Sequence, residues 1–112
     1  MNLGFGMMRL PVKSSPTDFD YDELNQMVDE FLEAGFNYFD TSYVYHNGKS
    51  QEAVRKAVVE RYPRDSFLIA TKFPTFNLVP EEEIDSLFES QLKDLGVDYI
   101  DYYLLHNIQN VY

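Results

Sequence analysis

The sequence contains no cysteine and no tryptophan, and only 9 of its 112 residues are basic against 19 acidic ones. The absence of cysteine excludes disulfides and thiolate metal sites within the chain. A net charge of −10 argues against binding to a nucleic-acid backbone or to an anionic membrane surface. No apolar run approaches the roughly 18 residues of a membrane span, and no secretory leader is visible. We therefore expect a soluble, cytoplasmic protein that binds neither nucleic acid nor membrane.

Apolar residues nevertheless make up 45% of the chain and aromatic residues 16%, which is enough for a packed core in one domain over residues 1–112. Strand-like apolar runs alternate with amphipathic segments, and this predicts the order β-α-β-α-β-α-β. The predicted strands lie at about residues 2–12, 37–40, 67–72 and 98–106, and the first breaks into a loop. The predicted helices lie at about residues 20–35, 50–61 and 80–95.

Each predicted helix carries an apolar stripe with helical spacing, which we interpret as a face toward the core. The stripes are Leu24, Met27, Val28, Phe31 and Leu32, then Ala53, Val54, Ala57 and Val58, then Ile84, Leu87, Phe88, Leu92 and Leu95. Asp20 and Glu23 have the spacing of an N-terminal capping pair. Gly35 and Gly96 suit helix ends, and Pro80 suits a first helical position.

This alternation predicts a parallel sheet with right-handed crossovers. Two architectures share the order, an open doubly wound sheet and a (β/α)8 barrel. A full barrel needs about 250 residues, so the four predicted strands and three predicted helices amount to half of one. In both architectures the carboxyl ends of the strands gather at one rim, where active sites lie.

Three of the predicted strands end on an ionisable residue, namely Asp40, Lys72 and His106, and Tyr45 lies in the loop beyond the first of them. Neighbouring parallel strands are about 4.8 Å apart, so side chains at adjacent strand ends can reach one another. An ammonium group beside a phenol makes the phenolic proton available, and such a tyrosine suits protonation of a carbonyl oxygen. The set contains no hydride donor, so this chemistry requires a cofactor.

Each residue also has an ordinary structural interpretation. Asp40 suits a turn or a helix cap, and Lys72 suits an exposed strand end. Tyr45 is one of nine tyrosines, and His106 serves equally well as a structural histidine. We interpret His46, beside an Asn-Gly pair, as an ordinary loop residue. The catalytic interpretation is favoured because the other four residues converge on one rim.

At these residues the chain resembles the aldo-keto reductase family. The resemblance rests on Gly4-Phe5-Gly6-Met7-Met8-Arg9-Leu10-Pro11, Phe39-Asp40-Thr41-Ser42-Tyr43-Val44-Tyr45, Ala70-Thr71-Lys72 and Leu104-Leu105-His106-Asn107. It implies a (β/α)8 barrel that reduces small aldehyde or ketone carbonyls with NADP(H) or NAD(H). It also implies that Tyr45 donates the proton and that Lys72 makes this proton available. Asp40 would then hold Lys72, and His106 would orient the substrate.

The resemblance also implies a cofactor-binding set that borders the nicotinamide, made of Gly6, Met7, Met8, Arg9 and Asp40. The first block looks most like bacterial predicted oxidoreductases whose longer members add a C-terminal iron–sulfur segment. None of that segment lies in these 112 residues, so a cluster is expected only in a longer parent chain. The later strands, which bind most of the dinucleotide in relatives, are also missing. We therefore expect an N-terminal half-barrel that self-associates or pairs with a C-terminal half, with little turnover alone.

Two other classes of function stay open at this point. A half-barrel can act as a non-catalytic assembly or binding module that buries its sheet edges against another chain. A metal-dependent hydrolase using Asp40 and His106 is less favoured, because such a site needs several ligands and the chain has only two histidines. We predict no metal site.

Overall fold

Four parallel strands form one sheet in the computed structural model, which describes residues 2–75 and 79–106. They are β1 (Gly4–Gly6), β2 (Tyr38–Asp40), β3 (Leu68–Phe73) and β4 (Tyr102–Leu105). The strands pair in chain order, each parallel to the next. The predicted alternation and parallel pairing are therefore confirmed.

Helices connect the strands. They are α1 (Tyr21–Glu33), the short turn α2 (Tyr45–Gly48), α3 (Ser50–Val54), which continues as a π-helical turn over Arg55–Val59, and α4 (Ile84–Leu95). Short 3-10 turns at Arg64–Ser66 and Glu81–Glu83 precede β3 and α4. In residues 2–75 and 79–106, no helix has the length and apolar character needed to cross a membrane.

The helix boundaries follow their capping chemistry. The Asp20 carboxylate accepts a hydrogen bond from the backbone N–H of Glu23, which confirms the predicted cap of α1. Gly96 ends α4 with a left-handed φ of 70°, and a Cβ there would lie 3.0 Å from Nε of Arg55. Both the backbone conformation and the lack of space therefore favour glycine. Pro80 precedes the 3-10 turn instead of opening a helix as predicted.

The core lies between the helices and the outer face of the sheet. The stripe of α3 and its π-helical turn is fully buried, as predicted, and consists of Ala53, Val54, Ala57 and Val58. Two other stripe predictions are wrong, because Met27 is 37% exposed and Ile84 is 39% exposed. Met27 flanks a buried face centred on Leu24 and Val28, and Ile84 is the first residue of α4.

β4 is shorter than predicted and much more exposed than the other strands. Asp101 lies directly before the strand, where its N–H binds the carbonyl oxygen of Ile69 at 3.1 Å and its carboxylate accepts from Arg64 at 2.7 Å and from the N–H of Ile69 at 2.8 Å. All four β4 residues are exposed, from 38% at Tyr103 to 59% at Leu105. No helix follows β4 within the described residues, and its outer face is covered only in part, by Phe88 and Gln91 of α4, which contact Tyr103.

Candidate active site

Asp40 and Lys72 meet at the carboxyl rim of the sheet. Asp40 ends β2 and pairs in register with Ala70 of β3, and Lys72 lies two residues further along β3. Since side chains alternate between the faces of a strand, this register puts both side chains on the inner face. Nζ of Lys72 lies 3.0 Å from Oδ1 of Asp40, and the two side chains are 13% and 33% exposed.

The ammonium group of Lys72 has a defined hydrogen-bond partner for each of its three N–H groups. These partners are Oδ1 of Asp40 at 3.0 Å, the carbonyl oxygen of Thr41 at 2.8 Å and the hydroxyl oxygen of Tyr45 at 3.1 Å. The Tyr45 oxygen accepts the bond from Lys72. Its own hydroxyl hydrogen can therefore be donated to a second acceptor.

The backbone of α2 positions Tyr45. His46 and Asn47 follow it with left-handed φ values of 53° and 55°, so the chain reverses directly after Tyr45 and enters α3 at Ser50. Left-handed conformations are uncommon in residues other than glycine and occur mostly in turns. This tight reversal keeps the phenol above the end of β3, where Lys72 binds it.

His106 follows β4 and joins the same rim. Its Nδ1 lies 2.9 Å from the hydroxyl oxygen of Ser42, and its ring is perpendicular to that of Tyr45 with the centroids 5.7 Å apart. Its backbone N–H binds the carbonyl oxygen of Phe73 at 2.9 Å. Burial, and secondly the positive charge of Lys72, lower the pKa of His106, while Asp40 opposes this shift. The imidazole is therefore neutral at neutral pH.

The five predicted cofactor residues lie at the ends of β1 (Gly6) and β2 (Asp40) and in the loop after β1 (Met7, Met8 and Arg9), and their surroundings differ. Gly6 pairs with Asp40, and a Cβ at Gly6 would meet no described atom within 4 Å. Met8 is 51% exposed and Arg9 is exposed as well, so both lie on open surface. Met7 differs, because its side chain is fully buried in the core. Its N–H binds the carbonyl oxygen of Asp40 at 2.8 Å, so Met7 ties the loop to β2.

A buried network of polar side chains binds the backbone of Lys72, and the sequence interpretation missed it. Nε2 of Gln91 donates to the carbonyl oxygen of Lys72 at 2.9 Å and to Oε1 of Gln51 at 3.1 Å. The hydroxyl of Thr71 donates to the same Oε1 at 2.7 Å. A signal for this network exists in the sequence, since Gln91 interrupts the apolar stripe of α4 between Phe88 and Leu95.

The interpretation of His46 as an ordinary loop residue is wrong. Its Nε2 lies 2.9 Å from the backbone nitrogen of Leu10, and its Nδ1 lies 2.7 Å from the carbonyl oxygen of Pro16. The ring also packs edge-on against Phe19, with the centroids 5.0 Å apart. His46 therefore connects the turn that follows Tyr45 to the loop that follows β1.

The fold is a four-stranded parallel sheet with helices on its outer face, as in the N-terminal part of a barrel. The sequence profile of the aldo/keto reductase family matches residues 2–112, and the chain belongs to this family. It is 36% identical over 85 residues to an aldo-keto reductase of Mycolicibacterium vanbaalenii, a match that covers 75% of this chain and 29% of that protein.

Solved structures of relatives share the fold. An aldo-keto reductase from Klebsiella pneumoniae in complex with NADPH superposes with a TM-score of 0.77 at 22% identity, over 96% of this chain and 36% of that one. The holo form of an aldo-keto reductase from Bacillus halodurans superposes with a TM-score of 0.69 at 32% identity, over 92% of this chain and 35% of that one. The chain thus spans about a third of the length of these relatives.

Proposed function

We propose that this chain supplies the proton-donating site of an NAD(P)H-dependent oxidoreductase that reduces small aldehyde or ketone carbonyls. The observation that carries the proposal is the single ammonium group of Lys72, which binds the carboxylate of Asp40 and the phenol of Tyr45 together. Membership in the aldo/keto reductase family supports the class of reaction. The NADPH complex of the Klebsiella pneumoniae relative supports the class of cofactor.

In this proposal Tyr45 is the general acid. The ammonium of Lys72 donates to the phenolic oxygen, which stabilises negative charge there as the Tyr45 proton moves to the carbonyl oxygen of the substrate. Asp40 keeps Lys72 charged and in place through the ion pair. A nicotinamide cofactor, held in part by Gly6, Met8, Arg9 and Asp40, would supply the hydride for the carbonyl carbon, and the product would be an alcohol.

The proposed role of His106 is to orient the substrate. Its lowered pKa keeps the ring neutral, and Ser42 holds one ring nitrogen. A neutral imidazole can hydrogen-bond a carbonyl oxygen through its other nitrogen without competing with Tyr45 as the acid. The rings of His106 and Tyr45 pack perpendicular to each other with their centroids 5.7 Å apart, which supports a shared site for the two residues.

The cofactor part of the proposal rests on β1 and the loop after it. A Cβ at Gly6, which pairs in register with Asp40, would meet no described atom within 4 Å, and this supports close approach of a ligand there. The exposed Met8 and Arg9 would border the nicotinamide ring, while Met7 holds the loop from within the core. We propose that Gly6, Met8, Arg9 and Asp40 form this chain's share of the cofactor site.

A second proposal concerns the binding partners of this chain and is based on the two edges of the sheet. β1 and β4 each pair with only one strand among the described residues, and Leu104 and Leu105 of β4 are 45% and 59% exposed. We propose that these edges pair with a second copy or with a C-terminal half-barrel. If the chain pairs in this way but never turns over carbonyls, it is an assembly module. Sedimentation separates these cases from a stable monomer.

The test of the catalytic proposal is NADPH oxidation in the presence of a nitrobenzaldehyde. The chain is assayed alone and after fusion to the C-terminal part of the Klebsiella pneumoniae reductase, which completes a barrel. We expect steady turnover in the fusion and little in the isolated chain. A folded fusion that binds NADPH yet does not oxidise it would contradict the proposed function and favour the assembly module.

A further inference from the structure

The two ring nitrogens of His46 have partners whose hydrogen-bonding roles are unambiguous. The backbone N–H of Leu10, 2.9 Å from Nε2, can only donate, so Nε2 must accept. The carbonyl oxygen of Pro16, 2.7 Å from Nδ1, can only accept, so Nδ1 must carry the hydrogen. This geometry therefore selects one form of the ring, the neutral imidazole protonated on Nδ1.

The two partners belong to a loop that is folded on itself. Residues 13 and 18 bind each other through their backbones at 2.8 Å, and Val12 bridges to Phe19. Leu10 and Phe19 anchor this loop in the core at 5% and 8% exposure. The loop is therefore held together by its own contacts, and Met8 and Arg9 lie between the buried Met7 and Leu10, which binds His46.

His46 also lies next to Tyr45 in the chain, in the left-handed part of α2. The ring belongs to the residue directly after the phenol, in the turn that reverses the chain there. The ring therefore connects the loop of Met8 and Arg9 to the residue that binds Lys72. Its contact Leu10 directly follows Arg9 of the proposed cofactor site, and His46 itself directly follows Tyr45, the proposed acid.

We infer that His46 is a positioning residue that, as the neutral Nδ1–H imidazole, sets the spacing between the loop after β1 and Tyr45. The significance of this spacing for catalysis depends on the proposed function, whereas the hydrogen bonds themselves do not. His46 acts through its neighbours and touches none of the reacting groups. His46 is thus a fifth residue of the site, beside Asp40, Tyr45, Lys72 and His106, and it takes part in no chemical step.

The first test reads the protonation of the ring in the unmodified chain. The chain contains only two histidines, so long-range proton–nitrogen NMR on a histidine-labelled sample resolves both. His46→Asn identifies the His46 signals by their disappearance. We expect a protonated Nδ1 and an unprotonated Nε2 for His46. A protonated Nε2 in the folded chain would overturn the inference.

The second test uses two variants that each keep one contact. In His46→Asn the side-chain N–H can still donate to the carbonyl oxygen of Pro16, and asparagine tolerates the left-handed backbone, but nothing reaches Leu10. In His46→Gln the longer side chain can place an oxygen near the position of Nε2. We expect hydrogen exchange of the Leu10 amide to accelerate about tenfold in the Asn variant and to stay near the original rate in the Gln variant. Equal rates in both variants would overturn the inference.

The third test asks whether the effect reaches Tyr45. In a sample with carbon-13 at tyrosine Cζ, we expect the Tyr45 signal to shift in His46→Asn and to return in His46→Gln. An unshifted signal in His46→Asn, with faster exchange at Leu10, would show that His46 anchors the loop alone, and this would overturn the positioning role. None of the three tests requires turnover, so their outcome is distinct from that of the NADPH assay.

Discussion

The strands β1 to β3 and the fourth strand all contain apolar residues, but their surroundings differ. Phe39 of β2 and Ile69 of β3 are completely buried beneath helices. Tyr103 and Leu105, which face the same side of β4, are 38% and 59% exposed. The difference shows that an apolar strand sequence predicts a strand, whereas its burial depends on the helix that covers it.

The candidate site extends across this division. Asp40, Tyr45 and Lys72 all belong to the covered part and are connected by hydrogen bonds of 3.0 and 3.1 Å. His106 follows the open strand and reaches the site through Ser42 and the backbone of Phe73. We therefore expect the acid and its lysine to be preorganised in this chain, and the position of His106 to depend more on what covers β4.

The largest expected effect on stability separates the two parts of the sheet directly. Phe39→Ala removes a fully buried ring that packs against Phe5, Phe31 and Phe67. We expect the free energy of unfolding to fall by about 3–5 kcal/mol. The matched change in the open strand, Leu105→Ala, should cost less than about 1 kcal/mol. Urea unfolding measures both changes in the free energy of unfolding. Equal losses in the two variants would contradict the difference between the covered strands and β4.

A smaller effect on stability is expected where a hydrogen bond joins β4 to the covered part of the molecule. The hydroxyl of Tyr103 donates to Oε1 of the buried Gln91, and burial raises the pKa of Tyr103 to about 12. Tyr103→Phe leaves this oxygen without its donor, which should cost about 1–3 kcal/mol. Tyr102→Phe, on the neighbouring residue of the open face, should change stability by less than about 0.5 kcal/mol. If Tyr103→Phe left the free energy of unfolding in urea unchanged, Gln91 would not link β4 to the core.

The smallest expected effect is a pH dependence that originates at His106. Its pKa is lowered in the folded chain, so the unfolded chain binds the proton more readily. The free energy of unfolding should therefore decrease as the pH falls below about 6.5, by less than about 1 kcal/mol because the group is partly exposed. The slope between neutral and mildly acidic pH should be reduced in His106→Gln. If the pH dependence of the free energy of unfolding were unchanged in His106→Gln, it would originate at groups other than His106.

Much of the fold could be predicted because local signals and the tertiary structure agree. The Asp20 cap, the left-handed Gly96 and the buried stripe of α3 each follow from residue chemistry close in sequence. The exposure of Met27 and of β4 could not be predicted, because burial depends on which elements pack together. The start of β4 could not be predicted either, since the Asp101 carboxylate directly before it binds Arg64, a partner 37 positions away.

The candidate site shows the same pattern. The positions of Asp40 and Lys72 follow from strand ends, which a sequence reveals through the change from apolar to ionisable residues. The bonds of His46 to Leu10 and Pro16 join residues 36 and 30 positions apart through a left-handed turn. No periodicity indicates such contacts. The sequence indicates the Gln91 network only through a polar residue that interrupts an apolar stripe. It does not indicate that Gln91 binds the carbonyl oxygen of Lys72.

The central claim, that Tyr45 is the proton donor held by Lys72, is tested most directly by comparing two tyrosines in the fusion with the Klebsiella pneumoniae C-terminal part. Tyr45→Phe removes the hydroxyl bound to Lys72, and Tyr43→Phe removes a hydroxyl two residues earlier. The quantity measured is the turnover of a nitrobenzaldehyde, with NADPH affinity as the control. We expect Tyr45→Phe to lose about 100-fold to 10,000-fold in turnover at nearly unchanged NADPH affinity, and Tyr43→Phe to stay near the original rate. Near-normal turnover by Tyr45→Phe would contradict the assignment.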